Sequence, residues 1–352
     1  MSEKTRKIRR ISVLIGKNAL RFVFNLAIAF AYQILFGMEN ILIGVVFGVA
    51  LTMYPAMDLG VRKLPMLGSL FGLFLGAGLV AQLALLSPWL ALPCNLLFVA
   101  AIMLLCTEPV HSRPSICFLL CFVFCQATPV PWDRLPVRLL SLAVGALATC
   151  AACLVWWKRK GYPSQARTLR QQVGLCARNP GLVLRMAVGI AVAMLIGMLL
   201  QLKKPLWISI VVMSLTQLDF AETFQRIKHR AIGTVCGAVL FLVLFRVLIP
   251  EQYAGVAILA IGYISFFIPE YKYKQVVNAI NALNASLVLL DTFTAIENRV
   301  LCLLAGIAIV LLLCLLQKLA ERLTVCRRPP LAGQTDERVL PEETALESGA
   351  LQ

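Results

Sequence analysis

Four amides recur at every third residue of the run QVVNAINALN: Gln275, Asn278, Asn281 and Asn284. In a helix that step keeps side chains near one face, drifting by about 60° each time. Amides turned toward lipid are costly, so this face must meet protein or water. It either lines a path for a polar solute or ties helices together. Four amides exceed what a simple tie needs, which favours the lining. Two arginines, Arg138 and Arg299, each stand near the start of an apolar run. Forked guanidiniums flanking a path would attract carboxylates. The alternative is that both snorkel to headgroups or pair with Asp133 and Glu297. Arg21 and Arg185 sit within a turn of the other surface, where snorkelling is favoured. Asp219, Glu222 and His229 fall in a polar stretch between apolar runs, read as a loop. Asp219 and Glu222 there, and Asp291 on the opposite side, are candidates for carrying a proton. The competing reading is a solvated loop with helix-capping acids.

Other chemistry is missing from the pattern. Cys117, Cys121 and Cys125 share one helix face, but no Met or His ligands join them, so they read as packing residues and no metal is expected. No phosphate-binding GxxxxGK[ST] loop, HExxH or GxSxG occurs, so the sequence points to neither an enzyme nor a cofactor.

The elements that must position these residues are membrane helices. Only 14% of the 352 residues are charged and 60% are apolar, whereas a soluble chain carries about 25% charge. The mean hydropathy is +0.85. A soluble enzyme, a disordered scaffold and a secreted disulfide domain are thereby excluded. The expected class is all-α and polytopic, with about twelve spans at 20–37, 41–57, 64–86, 88–106, 114–128, 135–157, 182–201, 206–218, 231–249, 253–268, 275–290 and 299–317. They group into a basic N-terminal segment (1–19), a six-helix repeat (20–157), a basic linker (158–181), a second repeat (182–318) and an acidic, disordered tail (319–352). With the N-terminus inside, 27 of the 33 Lys and Arg fall on the cytoplasmic side. That positive-inside bias places both termini and the linker in the cytoplasm. The same placement beside apolar runs reads the net charge of +16 as facing anionic lipid rather than nucleic acid.

The halves align with each other. Arg21 matches Arg185 and LTMYPAMD (51–58) meets LTQLDFAE (215–222), both at an offset of 164. Gly68 and Gly72 answer Gly233 and Gly237, and Arg138 with Gly145 answers Arg299 with Gly306. An even span count gives the halves one orientation, so a solute path is expected at the seam between them.

Residues 204–240 (KPLWISIVVMSLTQLDFAETFQRIKHRAIGTVCGAVL) resemble the fusaric-acid-resistance-like and aromatic acid exporter family. The resemblance runs through Pro205, Trp207, Gln217, Glu222, Arg230, Gly233, Thr234 and Gly237. The first half keeps the glycines but has Pro65 in place of the motif arginine, and the large cytoplasmic domains of many relatives are absent. The resemblance implies export of small organic anions, aromatic or carboxylated, across a bacterial inner membrane, often with a periplasmic adaptor. A proton-driven exporter is the leading expectation. A passive anion channel, or a non-catalytic membrane component of an envelope assembly, is the alternative.

Overall fold

Runs of Leu, Val, Ile, Phe and Ala with little charge have one way to satisfy their backbone in lipid, which is to close every hydrogen bond within a helix. The computed structural model describes residues 3–57, 60–162, 167–200, 202, 204–287 and 292–326, and among these every regular element is helical. In chain order they are α1 (Glu3–Phe36), α2 (Ile41–Met53), α3 (Lys63–Ala84), α4 (Pro88–Cys106), α5 (Ile116–Ala127) and α6 (Leu135–Lys160). There follow α7 (Leu169–Cys176), α8 (Pro180–Leu199), α9 (Leu206–Leu215), α10 (Phe220–Leu242), α11 (Ala254–Ile264), α12 (Tyr271–Leu287) and α13 (Thr292–Cys326).

Among the described residues, eight helical stretches are long and apolar enough to cross a membrane. They are Ser12–Phe36, Met38–Ala56, Lys63–Ala84, Pro88–Cys106, Trp132–Lys160, Pro180–Leu199, Phe220–Phe245 and Phe293–Leu323. The chain is therefore a multi-pass membrane protein. Helices coincide with the other four expected segments too, but α5, α9 and α11 are shorter and α12 is more polar. With 12 residues, α5 reaches about 18 Å at 1.5 Å per residue, short of a hydrocarbon core of about 30 Å.

Several boundaries differ from the sequence expectation. Helix α1 begins at Glu3, so the basic N-terminal segment continues the first span instead of forming a separate element. Helix α10 begins at Phe220, because Asp219 accepts a hydrogen bond from the Ala221 N–H at 3.1 Å and starts the helix eleven residues before the apolar run. The linker holds a short helix, α7, started by a reciprocal capping box between Thr168 and Gln171. Helix α13 runs on to Cys326, so residues 319–326, expected as the start of a disordered tail, continue the last span instead. Asp291 and the rest of the tail, 327–352, lie outside the described residues.

The core packs aromatic rings in the first half and small residues at helix crossings. Phe74 sits 4.7 Å from both Phe47 and Phe118, ring centre to ring centre, and Tyr54 closes the group at 5.3 Å from Phe118. Gly145 on α6 lies hard against Phe47 and Tyr32, leaving no room for a side chain. A Cβ on Gly306 of α13 would stand 2.5 Å from Val211 of α9. Residues on the outer faces, such as Leu147, Leu184 and Leu304, are exposed apolar side chains suited to lipid.

Candidate functional site

A cavity of about 420 Å³ opens where the end of α4 and the start of α5 meet α8, α9 and the start of α10. Its floor is apolar: Met103, Leu119, Met186 and Met213. Its mouth is polar, with Thr107, Glu108, Arg113, Ser115, Thr216, Gln217 and Glu222. That size and that division of surface suit a small organic molecule with an apolar body and a charged end.

The charged end of the cavity is built around Arg113. Its backbone is left-handed (φ 49°), an uncommon conformation for a side-chain-bearing residue. Its guanidinium donates to Gln217 Oε1 and lies 3.6 Å from Glu222 Oε1. Burial, and then repulsion from Arg226, pull the Arg113 pKa below the ordinary arginine value, while Glu222 and Tyr271 push it back up. Glu222 also takes a 2.8 Å ion pair from Arg226, one turn along α10, and Arg226 stacks over the Tyr271 ring at 4.6 Å. Glu222 thus bridges two arginines. It also borders a second, open cleft of about 430 Å³ lined by Gln225, His229 and Glu270.

Two supports hold this site in place. Arg185, buried on α8, donates to the carbonyls of Gln217 and Leu218 at 2.8 and 3.2 Å and stacks on Phe220 at 4.5 Å. It pins the corner between α9 and α10 rather than snorkelling, whereas its partner in the alignment, Arg21, is exposed. The linker supplies the other support. Gln172 of α7 donates to the Glu108 and Leu105 carbonyls at 3.0 and 3.3 Å, and Asn179 donates to Glu108 Oε1 at 3.0 Å. The linker therefore orders the loop that carries Glu108 and Arg113.

Of the residues singled out from sequence, Gln217 and Glu222 line the cavity. Asp219 is exposed and caps α10. Arg138 is almost wholly buried and donates to the Glu39 and Thr128 carbonyls at 3.0 and 2.9 Å. It neither snorkels nor meets a carboxylate among the described residues. Arg299 is buried with its guanidinium 4.4 Å over the Trp207 ring. Arg230 is buried and donates to Ser214 Oγ. The amide stripe does not share one environment: Gln275 is buried, Asn281 and Asn284 are half-buried and Asn278 is exposed. None of the four borders the cavity. Gly233 and Gly237 give α10 its close approach to Gln275 and Ala279 of α12, each contact 2.6 Å for a Cβ. Pro205 packs on Gly197 at the start of α9, and Thr234 is buried on α10.

Sequence reasoning missed Arg113 as a site residue. It is a lone base in a short loop, and its partners Gln217 and Glu222 come from the α9–α10 corner and the first turn of α10.

A smaller cavity of about 50 Å³ lies further along the same seam, between Leu85, Val123, Gln126, Met194 and Ser209. Leu119 and Val123, four residues apart on α5, border the larger and smaller cavities respectively, as do Met213 and Ser209 on α9.

The chain shares 35% identity over 96 residues with the uncharacterised protein YhfK of Escherichia coli strain K12, an overlap of 27% of this chain and 13% of that relative. No solved structure matches. Residues 192–313, which include α9 and all of α10 on one side of the cavity, match the family model described as fusaric acid resistance protein-like.

Proposed function

We propose that the chain is a secondary exporter of small organic anions, aromatic or carboxylated, and that its solute passes along the seam between two similarly oriented six-helix halves, α1–α6 and α8–α13. The observation that carries this reading is the amphipathic cavity of about 420 Å³ between those halves, with Arg113 at its mouth. A carboxylate would exchange with Glu222 at Arg113, and the apolar body would rest on Met103, Leu119, Met186 and Met213. The smaller cavity of about 50 Å³ further along the seam is separate from the large one, so among the described residues the two do not join into an open pore, as a carrier reading requires. The family match over residues 192–313 supports a transport or resistance role.

The duplication behind this reading has packing support. Gly145 and Gly306 lie seven residues after a buried arginine in each half, Arg138 and Arg299. Each glycine receives a residue at the same alignment offset of 164, Phe47 in one half and Val211 in the other. In this reading the large cavity faces the cytoplasm across an inner membrane with both termini inside, which the positive-inside bias of the Lys and Arg residues supports. Glu222 is the group we assign to proton coupling: protonation would release its hold on Arg113 and let a solute carboxylate in.

The test is flux in liposomes holding the purified protein and an aromatic carboxylate. An exporter of this kind moves the solute against its own gradient when a pH gradient is imposed, and stops when that gradient is collapsed. Flux that only ever runs downhill would identify a passive channel.

A further inference from the structure

The second half contains buried donors with nothing to donate to. Arg299 is 6% exposed and Arg230 is 4% exposed. Neither meets a carboxylate among the described residues, and Arg230 is close enough to Arg299 for the two charges to repel. Arg299 Nε and Nη1, Arg230 Nε and the Trp207 indole N–H are all buried without an acceptor. Arg230 has Ser214 Oγ for one of its nitrogens and the Tyr271 hydroxyl beside it, and among the described residues the guanidinium of Arg299 rests on the Trp207 ring face. Buried unpaired charge is strongly destabilising, and a cluster of unsatisfied buried donors calls for an acceptor.

The first half shows what a purely structural version looks like. There Arg138, which aligns with Arg299, donates through Nη2 to two backbone carbonyls and Thr128 Oγ1, while its Nε is buried without a partner. The position aligned with Arg230 is Pro65, so no second cation is present. Among the described residues, the second half alone combines two buried cations with N–H groups that lack an acceptor.

We infer that Arg230 and Arg299, with the Trp207 N–H, form a binding site for a small carboxylate, separate from the seam cavity and independent of its assignment. Two planar forks and an indole donor match the in-plane lone pairs of a carboxylate better than a spherical ion.

The test uses the full chain in detergent with sodium HEPES as the only other salt. Its thermal midpoint is followed as sodium acetate is added, and sodium chloride is titrated in parallel. A ligand that binds only the folded state raises the midpoint. The expected result is a saturable rise with acetate in the native protein and in the exposed-charge control Arg170→Gln. In Arg230→Gln and Arg299→Gln the half-saturating concentration should rise at least tenfold. Both glutamine variants should be at least as stable as the native chain without acetate, since each removes an unpaired buried charge. Arg299→Lys, which keeps the charge and loses the fork, should fold and respond weakly. An acetate response intact in both glutamine variants overturns the site. So does collapse of both variants, which would make the arginines structural, or chloride saturating at a lower concentration than acetate.

Discussion

At the scale of single residues, the buried arginines separate by what accepts their protons. Arg138 is held by carbonyls from two segments, so Arg138→Gln should destabilise the protein by about 3 kcal/mol, because hydrogen bonds to a buried charge are lost and Glu39 and Thr128 are left unsatisfied. The unfolding midpoint in detergent measures this, and an unchanged midpoint would show that the cage does no structural work. Glu222 carries the coupling prediction. In liposomes Glu222→Gln should still exchange labelled solute across the membrane but no longer respond to an imposed pH gradient; a full response would assign coupling elsewhere. Glu222 was legible in the sequence as an acid in the polar stretch between apolar runs, and Gln217 through the family resemblance. Arg113 was not, because neither its loop nor its neighbours have a spacing that announces a site. Its role comes from Gln217 and Glu222, which reach it from more than 100 residues away in the chain.

At the scale of elements, helix crossings explain why some glycines of the repeat matter and others do not. Gly233 and Gly237 let α10 lie against α12, while Gly68 and Gly72, their counterparts on α3, have open space beside them. Gly237→Ala should therefore weaken the fold by about 1–3 kcal/mol through overpacking, whereas Gly72→Ala should be neutral or stabilising by about 0.5–1 kcal/mol. Equal effects of the two on the unfolding midpoint would contradict the crossing geometry. The position of each helix was legible from apolar run length, since lipid admits little else. The ends of the helices were not: α10 and α12 both begin in polar residues that hydropathy reads as loop, although Asp219 is a recognisable cap. The amide stripe misled for a geometric reason. A three-residue step rotates around the helix fast enough to bury Gln275 while exposing Asn278 one step later.

At the scale of the whole molecule, the account rests on a path between the halves. The duplicated plan we propose draws on the seven-residue spacing shared by Arg138 with Gly145 and Arg299 with Gly306 in the sequence. The location of the chamber was not readable, because it depends on α4 and α5 meeting α8 and α9 across the seam. Filling that chamber tests the claim without touching any charge. Leu119→Trp places an indole in the cavity, and Leu184→Trp places one on an exposed face of α8. The decisive measurement is the initial rate of efflux of a labelled aromatic carboxylate from liposomes carrying equal amounts of each folded variant. The seam account predicts that Leu119→Trp lowers the rate at least tenfold while Leu184→Trp stays within twofold of the native protein. Equal rates for the two variants would contradict it.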